Sequence, residues 1–169
     1  MFIKNDYTKA LSNLEIRNNK IKNTAKIELS NDDYKNFIGN YTEIEFTADI
    51  IIFDYDTSIN ENRYLQQNYC TFAELVWMIG RSGQGDEWFI DKKSKNILFY
   101  DHNLGEYSYK NLINLNIDFK KFIILSDLYR QLELILENND ISELEQNEFI
   151  KQVNSIGSNL YEIYPYKYF

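Results

Sequence analysis

Three closely spaced glycines between two apolar segments constrain the fold of this chain more than any other feature. Gly80, Gly83 and Gly85 follow the apolar residues 72–79 and precede the short segment 88–91. Glycine supplies the positive φ or the close backbone approach that a tight turn needs. We therefore predict that these glycines form a structural turn between two strands.

The same glycines do not match a phosphate-binding loop. Their order differs from Gly-x-Gly-x-x-Gly, and no Gly-Lys-Ser/Thr follows. The segment after them is predicted to be a strand, whereas a phosphate loop leads into a helix N-terminus. No cofactor is expected at this turn.

Further strands are predicted on both sides of the turn. Residues 92–96 form a polar loop of about five residues between 88–91 and 97–101, which indicates a hairpin. Upstream, residues 42–46 alternate polar and apolar side chains, and residues 49–56 contain an Ile-Ile-Ile-Phe run typical of a buried strand. A last short strand is predicted at 106–109.

Helices are predicted at both ends of the chain. Residues 6–18 carry apolar side chains at helical spacing, and Ser30 is placed to cap a second helix that Gly39 and Asn40 would end. The polar residues 58–68 have room for a short helix. The order of helices, strands and helices predicts an α+β fold with a central, mostly antiparallel sheet.

The C-terminal third has the clearest helix signals. Asp118 precedes a long apolar stripe, which is predicted to end near residues 138–140. Ser142 and Glu145 have the spacing of a capping box, and Gly157 is the predicted end of that last helix. The remaining tail is dense in aromatic residues, namely Tyr161, Tyr164, Tyr166, Tyr168 and Phe169.

Composition narrows the class of protein. The 169 residues include 44% hydrophobic side chains and a single cysteine, so we expect one cytoplasmic domain without disulfides. No apolar run approaches the ~18 residues of a membrane span. The net charge of −8 argues against a nucleic-acid partner and is compatible either with simple solubility or with a surface matched to a basic protein.

Several segments in order resemble one known family. They are Ile79-Gly80, Gly85-Asp86, Trp88, Asp91 and Tyr100-Asp101-His102, preceded by Leu29-Ser-Asn-Asp-Asp-Tyr-Lys-Asn-Phe-Ile38 and followed by residues 115–123. Together they resemble the SUKH superfamily, the Smi/Knr-type family whose bacterial members are mostly immunity proteins against polymorphic toxins. Serine stands at position 30 where the family has proline, and Gly39-Asn40 stands where it often has Asn-Gly-Gly. The resemblance spans about residues 29–136, and the helix and tail at 141–169 lie outside it.

The resemblance implies a binding protein rather than an enzyme. Its partner would be a cognate toxin, presumed basic and nuclease-type, held by stoichiometric occlusion without cofactor, metal or membrane. The residues expected to face that partner are four carboxylates near the predicted strand ends and a tyrosine with its neighbouring acid, namely Asp54, Asp56, Asp86, Glu87, Tyr64 and Glu61. A Smi/Knr-type regulatory scaffold with cellular partners remains an alternative.

Catalytic readings have weaker support in the sequence. Asp54 and Asp56 would project from one face of a strand end, and an alternative hypothesis adds Asp86, Glu87 and Asp101 to them as ligands of a hydrolase metal. His102 is the only histidine and Cys70 the only cysteine, which is too few for a usual zinc site. Cys70 is expected to be a buried, inert thiol. We therefore predict no catalytic residues.

Overall fold

The computed structural model describes residues 2–169 as an α+β fold around one six-stranded sheet. All neighbouring strands are antiparallel and follow chain order, β1-β2-β3-β4-β5-β6. The strands are β1 (Ile44–Thr47), β2 (Ile50–Ile52), β3 (Val76–Arg81), β4 (Glu87–Asp91), β5 (Ile97–Tyr100) and β6 (Ile113–Asn114). The predicted fold class is therefore confirmed.

Seven helices surround this sheet in the described part of the chain. Two precede the sheet, two lie between β2 and β3, and three follow β6. They are α1 (Tyr7–Leu11), α2 (Asp32–Asn40), α3 (Tyr55–Asn68), α4 (Cys70–Ala73), α5 (Phe119–Leu136), α6 (Glu143–Ile156) and α7 (Leu160–Ile163).

Each face of the sheet carries its own hydrophobic cluster because successive side chains of a strand point to opposite faces. In β4, Trp88 and Ile90 belong to the larger cluster, whereas Phe89 between them belongs to the smaller one. The larger cluster is completed by buried residues of α2, α5, α6 and the C-terminal tail. The smaller cluster is completed by Leu65 of α3 and Phe72 of α4.

A side chain of α3 takes the place of a missing strand along part of β3. Strand β2 pairs only with Gly80 and Arg81 of β3. Beyond that point Asn62 accepts a hydrogen bond from the Met78 backbone N–H and donates one to the Met78 carbonyl, both at 2.8 Å. This contact satisfies two buried backbone groups that would otherwise lie on an open sheet edge.

A turn forms between β3 and β4 as predicted, but only Gly83 and Gly85 lie in it, and the prediction was wrong for Gly80. Gly85 has φ of +97°, the left-handed region that favours glycine. Gly80 lies inside β3, where a Cβ atom would come within 2.3 Å of the Ile51 carbonyl oxygen. Gly83 has neither constraint, since the nearest atom to its Cβ position, the Ala48 oxygen, is 3.4 Å away. The five-residue hairpin loop between β4 and β5 is also confirmed.

The N-terminal helices differ from their predicted limits. Helix α1 ends at Leu11 rather than near residue 18, because the following chain crosses to α2, where Ile16 pairs with Tyr41 and Arg17 N–H donates to the Asn40 carbonyl. The cap of α2 is Asn31 rather than Ser30, since the Asn31 side chain accepts the Tyr34 N–H.

Two predicted strands are shorter than expected. The strand predicted at 49–56 ends at Ile52, because Asp54 caps α3 by accepting the N–H of Thr57. The segment predicted to extend as a strand from residue 72 begins as helix α4, and β3 starts only at Val76.

Cys70 lies in α4 and is exposed, so the predicted buried thiol was wrong.

The C-terminal helices match their signals. Asp118 accepts the Lys121 N–H at the start of α5, and Ser142 with Glu145 forms the predicted capping box of α6. Residues 106–109 are not a strand: the chain makes a short 3₁₀ turn at Tyr109–Asn111, and the sixth strand is β6 instead. Helix α7 begins the aromatic tail.

Candidate partner-binding surface

Part of the predicted binding set comes together beside α3 and is extended by two tyrosines. We call the residues Glu61, Tyr64, Tyr69, Glu87 and Tyr107 the acidic–aromatic surface. Tyr64 and Tyr69 are exposed over 52% and 37% of their area, while Tyr107 is partly buried. The ring of Tyr69 lies 6.3 Å from that of Tyr64 and 4.8 Å from that of Tyr107, centroid to centroid. These rings form a continuous aromatic strip.

The strip is anchored on the smaller hydrophobic cluster rather than projecting freely. Tyr107 stacks on Phe72 with centroids 4.9 Å apart and an interplanar angle of 20°, and its ring is 4.8 Å from that of Tyr100. An aromatic side chain held in place loses little conformational freedom when a partner binds, which is why such residues are frequent binding anchors. The surface is therefore preorganised at its inner end.

Glu87 is the acidic centre of this surface. Its Oε1 accepts a hydrogen bond of 2.8 Å from the Tyr107 hydroxyl, and its Oε2 is buried with no hydrogen-bond partner among the described residues. Burial raises the pKa of Glu87 to about 7, the Tyr107 hydrogen bond opposes that rise, and the charges of Glu61 and Asp86 add to it. The Glu87 carboxyl group is therefore partly protonated and partly ionised near neutral pH.

Within residues 2–169, no cation is paired with Glu87. Arg81 lies opposite Glu87 in the β3–β4 pairing, but its guanidinium carbon lies over the Phe53 ring, 5.7 Å from the centroid. Within residues 2–169, Glu87 takes part in no ion pair of 4 Å or less. The ionised form of Glu87 is therefore uncompensated by any charge within 4 Å in this part of the chain.

The other predicted partner residues do not join this surface as expected. Asp54 is half-buried as the cap of α3 and lies 3.8 Å from the Arg17 guanidinium. Asp56 is exposed in the first turn of α3, so the two acids do not share a strand face. Asp86 is buried, which removes it from the predicted contact set. Only Glu61, Tyr64 and Glu87 of the six residues are brought together.

Asp86 instead holds the glycine turn to the C-terminal tail. Its Oδ1 accepts hydrogen bonds from the backbone N–H of His102 and lies 2.7 Å from His102 Nδ1, while its Oδ2 accepts from the hydroxyls of Tyr166 and Ser82. Burial raises the pKa of Asp86, but the hydrogen bonds from Tyr166 and His102 outweigh burial and hold the pKa below its usual range.

The same cluster contains the arrangement most like a metal site among the described residues. Ligand atoms of Asp86, Asp101 and His102 all lie within 4.8 Å of one another. Both oxygens of Asp86 are already hydrogen-bonded, and Asp101 Oδ1 accepts two hydrogen bonds from Asn103. These hydrogen bonds make the cluster a structural support of the turn. Asp54, Asp56 and Glu87 do not belong to it.

The aromatic tail is a second structural support. Tyr164 is buried and stacks on Tyr129 of α5 with ring centroids 4.2 Å apart. The Tyr168 hydroxyl lies 2.9 Å from Asp49 Oδ2 and 2.7 Å from Glu133 Oε1. Burial raises the pKa of Asp49 and of Glu133. The Tyr168 hydroxyl has a single proton, so it can donate a hydrogen bond to only one of these two carboxylates at a time. The tail thus links α5 to the β1–β2 turn.

Tyr69 and Tyr107 are surface residues that the sequence does not predict. The contacts of Tyr107 with Phe72 and Glu87 join residues 35 and 20 positions away along the chain, and no local pattern contains them. A short-range signal did exist for Tyr69, which directly follows the polar stretch that forms α3.

Comparison with known proteins gives no relative: no family model, no curated protein and no solved structure matches the chain. Among the described residues, no helix combines the length and apolarity that crossing a bilayer requires.

Proposed function

We propose that this chain is a cytoplasmic immunity protein of the SUKH type, which neutralises a basic, nuclease-type toxin by binding it stoichiometrically. The observation that carries the proposal is the acidic–aromatic surface, in which exposed tyrosines adjoin a carboxylate that has no ion pair within the part of the chain that the structure describes. The sequence resemblance to the SUKH superfamily supplies the class of partner. The chain would act without catalysis.

The two components of the surface would act at different stages of binding. The net charge of −8 attracts a basic protein over distance and speeds encounter. Tyr64 and Tyr69 then bury apolar area while their hydroxyls remain able to donate hydrogen bonds, a combination common at the energetic centre of interfaces. Charge would therefore govern association and the aromatic strip would govern dissociation.

Glu87 adds a chemical requirement on the partner. A lysine or arginine docked beside it would favour the ionised carboxylate and lower its pKa from about 7. Binding would then release protons at neutral pH. A partner without such a cation would leave the carboxyl partly protonated, and no protons would be released.

The direct test is capture of the protein encoded next to this chain's gene. The tagged full-length chain is co-expressed with that neighbour, and retention of the neighbour and growth of the cells are both scored. The proposal predicts a one-to-one complex and protection from the neighbour's toxicity. A neighbour that neither binds nor harms the cells would contradict the immunity function and leave a regulatory scaffold as the better reading.

Matched variants locate the binding site within that test. Tyr64→Ala combined with Tyr69→Ala should reduce capture, whereas Leu144→Ala on α6, which truncates a side chain that is 82% exposed, should not. If the double tyrosine variant and the Leu144→Ala variant capture the neighbour equally well, the interface lies elsewhere on the molecule.

A further inference from the structure

A cavity of about 260 Å³ opens on the flank of α3 that faces away from the acidic–aromatic surface. Its apolar walls come from Ile59, Ala73 and the indole of Trp77, and its cationic lining comes from Lys26, Arg63 and Lys92. Residues 59, 63 and 66 of α3 lie along this side at helical spacing, whereas residues 61 and 64 lie on the acidic–aromatic surface. The two sites therefore use different sides of one helix.

The charge of this cavity is opposite to that of the whole chain. Three cations and one acid, Glu28, line it, although the chain carries a net charge of −8. Within residues 2–169, none of Lys26, Arg63 and Lys92 lies within 4 Å of a carboxylate. Glu28 offsets only part of the positive charge of the three cations, and an anion placed among them would reduce their remaining mutual repulsion.

Lys92 is the most constrained of the three cations. Its Nζ donates a hydrogen bond of 2.7 Å to the Ala73 carbonyl and lies 5.7 Å from the centroid of the Trp77 ring. Burial lowers the pKa of Lys92, and the charges of Glu28 and Glu74 oppose that effect. An ammonium has three donors, so Lys92 keeps donors for a ligand after bonding to Ala73.

The size and lining of the cavity restrict the ligand. A dry cavity of about 150 Å³ is enough for benzene. The observed cavity of about 260 Å³ therefore has room for a ring or short acyl chain together with one anionic group. The apolar walls would contact the body of such a molecule, and the cations would contact its charge.

We propose that this cavity binds a small organic anion in which an aryl or acyl body carries a carboxylate or a phosphate. The site is independent of the toxin-binding surface, so either can fail without the other. Arg63 and Lys26 attract and hold the anionic group from the rim, and Lys92 bonds it from the Trp77 wall.

The experiment titrates the full-length chain with four probes and follows the indole N–H resonance of Trp77 by NMR. The resonance is identified by its loss in Trp77→Phe, since the chain has two tryptophans. Phenyl phosphate and benzoate carry both body and charge, inorganic phosphate carries only the charge, and benzyl alcohol carries only the body. The proposal predicts saturable shifts with phenyl phosphate or benzoate at concentrations where the other two probes give none.

Variants test whether the cations are responsible. Arg63 is exposed, so Arg63→Gln should leave the fold intact and weaken binding by about tenfold, the equivalent of one charge-assisted contact. Lys26→Gln should act in the same direction, and Lys151→Gln on the exposed side of α6 should have no effect. The proposal is overturned if neither anion shifts Trp77 saturably, if benzyl alcohol binds as well as the anions, or if Arg63→Gln and Lys151→Gln bind alike.

Discussion

Tyr107 donates its hydroxyl to Glu87 at 2.8 Å, which fixes a half-buried carboxyl group at the centre of the acidic–aromatic surface. One oxygen of that carboxyl is satisfied, while the other is buried without a partner among the described residues. The ionised form of Glu87 therefore destabilises the isolated chain, and a cationic partner that compensated its charge would remove that cost.

The first prediction concerns the pH dependence of stability. The folded pKa of Glu87, about 7, lies above the ordinary glutamate pKa of 4.5, which is taken for the unfolded chain, so the folded state binds the extra proton between these pH values. The contribution of Glu87 to stability is therefore full below about pH 4.5 and is lost as pH rises through 7. We therefore expect Glu87→Gln to raise the free energy of unfolding relative to the parent more at pH 8 than at pH 5. The difference between the two pH values should be roughly 1–3 kcal/mol.

Urea unfolding of the parent and variant at pH 5 and pH 8 measures this difference. Glu43→Gln, which neutralises an exposed glutamate, serves as the control and should show no such change between the two pH values. A Glu87→Gln variant with the same pH dependence as the parent would mean that the carboxyl is ionised at neutral pH in the folded chain.

The second prediction concerns the attachment of the C-terminal tail. Tyr166→Phe removes one hydrogen bond to the buried Asp86 carboxylate and should destabilise the chain by about 1.5–3 kcal/mol at neutral pH. The folded pKa of Asp86 is lowered, so its favourable contribution is present at neutral pH and is lost as pH falls through the folded pKa. The gap between parent and variant should therefore narrow in acid.

Thermal unfolding at neutral and acidic pH checks this expectation. Tyr64→Phe removes a hydroxyl from an exposed ring and is the matched control. If Tyr166→Phe melts with the parent at neutral pH, the tail is not held through Asp86.

Helices and strands whose limits depend on nearby residues could be predicted from the sequence, whereas those that depend on distant residues could not. The starts of α5 and α6 depend on caps within three residues, Asp118 and the Ser142–Glu145 box, and both were found from the sequence. The limit of β2 was missed because Phe53 continues its apolar run, while Asp54 ends it by capping the next helix. A carboxylate after an apolar run fits a strand end and a helix cap equally well.

The candidate site was predictable only in part, for the same reason. Glu61 and Tyr64 are close because they lie three residues apart in one helix, which spacing alone can indicate. Asp86 and Glu87 are adjacent in sequence, yet Asp86 is buried and Glu87 reaches the surface, since Asp86 bonds to a tail 80 residues away. No local pattern contains that contact.

The third prediction tests the side chain that replaces a strand beside β3. Asn62→Ala leaves both the N–H and the carbonyl of Met78 without their partner in a buried position, which should cost roughly 2–4 kcal/mol of unfolding free energy. Asn60→Ala changes an exposed residue of the same helix and should cost little. Urea denaturation of the two variants provides the comparison, and equal stabilities would show that water replaces the Asn62 contacts.

The fourth prediction compares Gly80 inside β3 with Gly83 in the turn that follows it. Gly80→Ala would bring a methyl group within 2.3 Å of the Ile51 oxygen, so the two strands must separate, at a cost of about 1–3 kcal/mol. Gly83→Ala places its methyl group 3.4 Å from the nearest atom and should change stability by less than about 0.5 kcal/mol. Melting temperatures distinguish the two, and a Gly83→Ala variant less stable than Gly80→Ala would contradict the pairing of β2 with β3.

The fifth prediction addresses binding itself, through the charge of Glu61. Glu61→Lys reverses a charge within the acidic–aromatic surface, and Glu15→Lys makes the same change in net charge at an exposed site between α1 and α2. Steering by local charge should make Glu61→Lys the slower of the two to associate with a basic partner, and the difference should shrink as salt screens it.

The association rate with the protein encoded next to this chain's gene, measured by stopped flow at low and high salt, tests the central claim most directly. We expect the rate of the parent to fall as salt rises, from as much as about 10⁸–10⁹ M⁻¹s⁻¹ toward the 10⁵–10⁶ M⁻¹s⁻¹ of neutral encounters. We also expect Glu61→Lys to lower the low-salt rate more than Glu15→Lys does. A rate that is indifferent to salt, or equal in the two variants, would contradict binding through the acidic–aromatic surface.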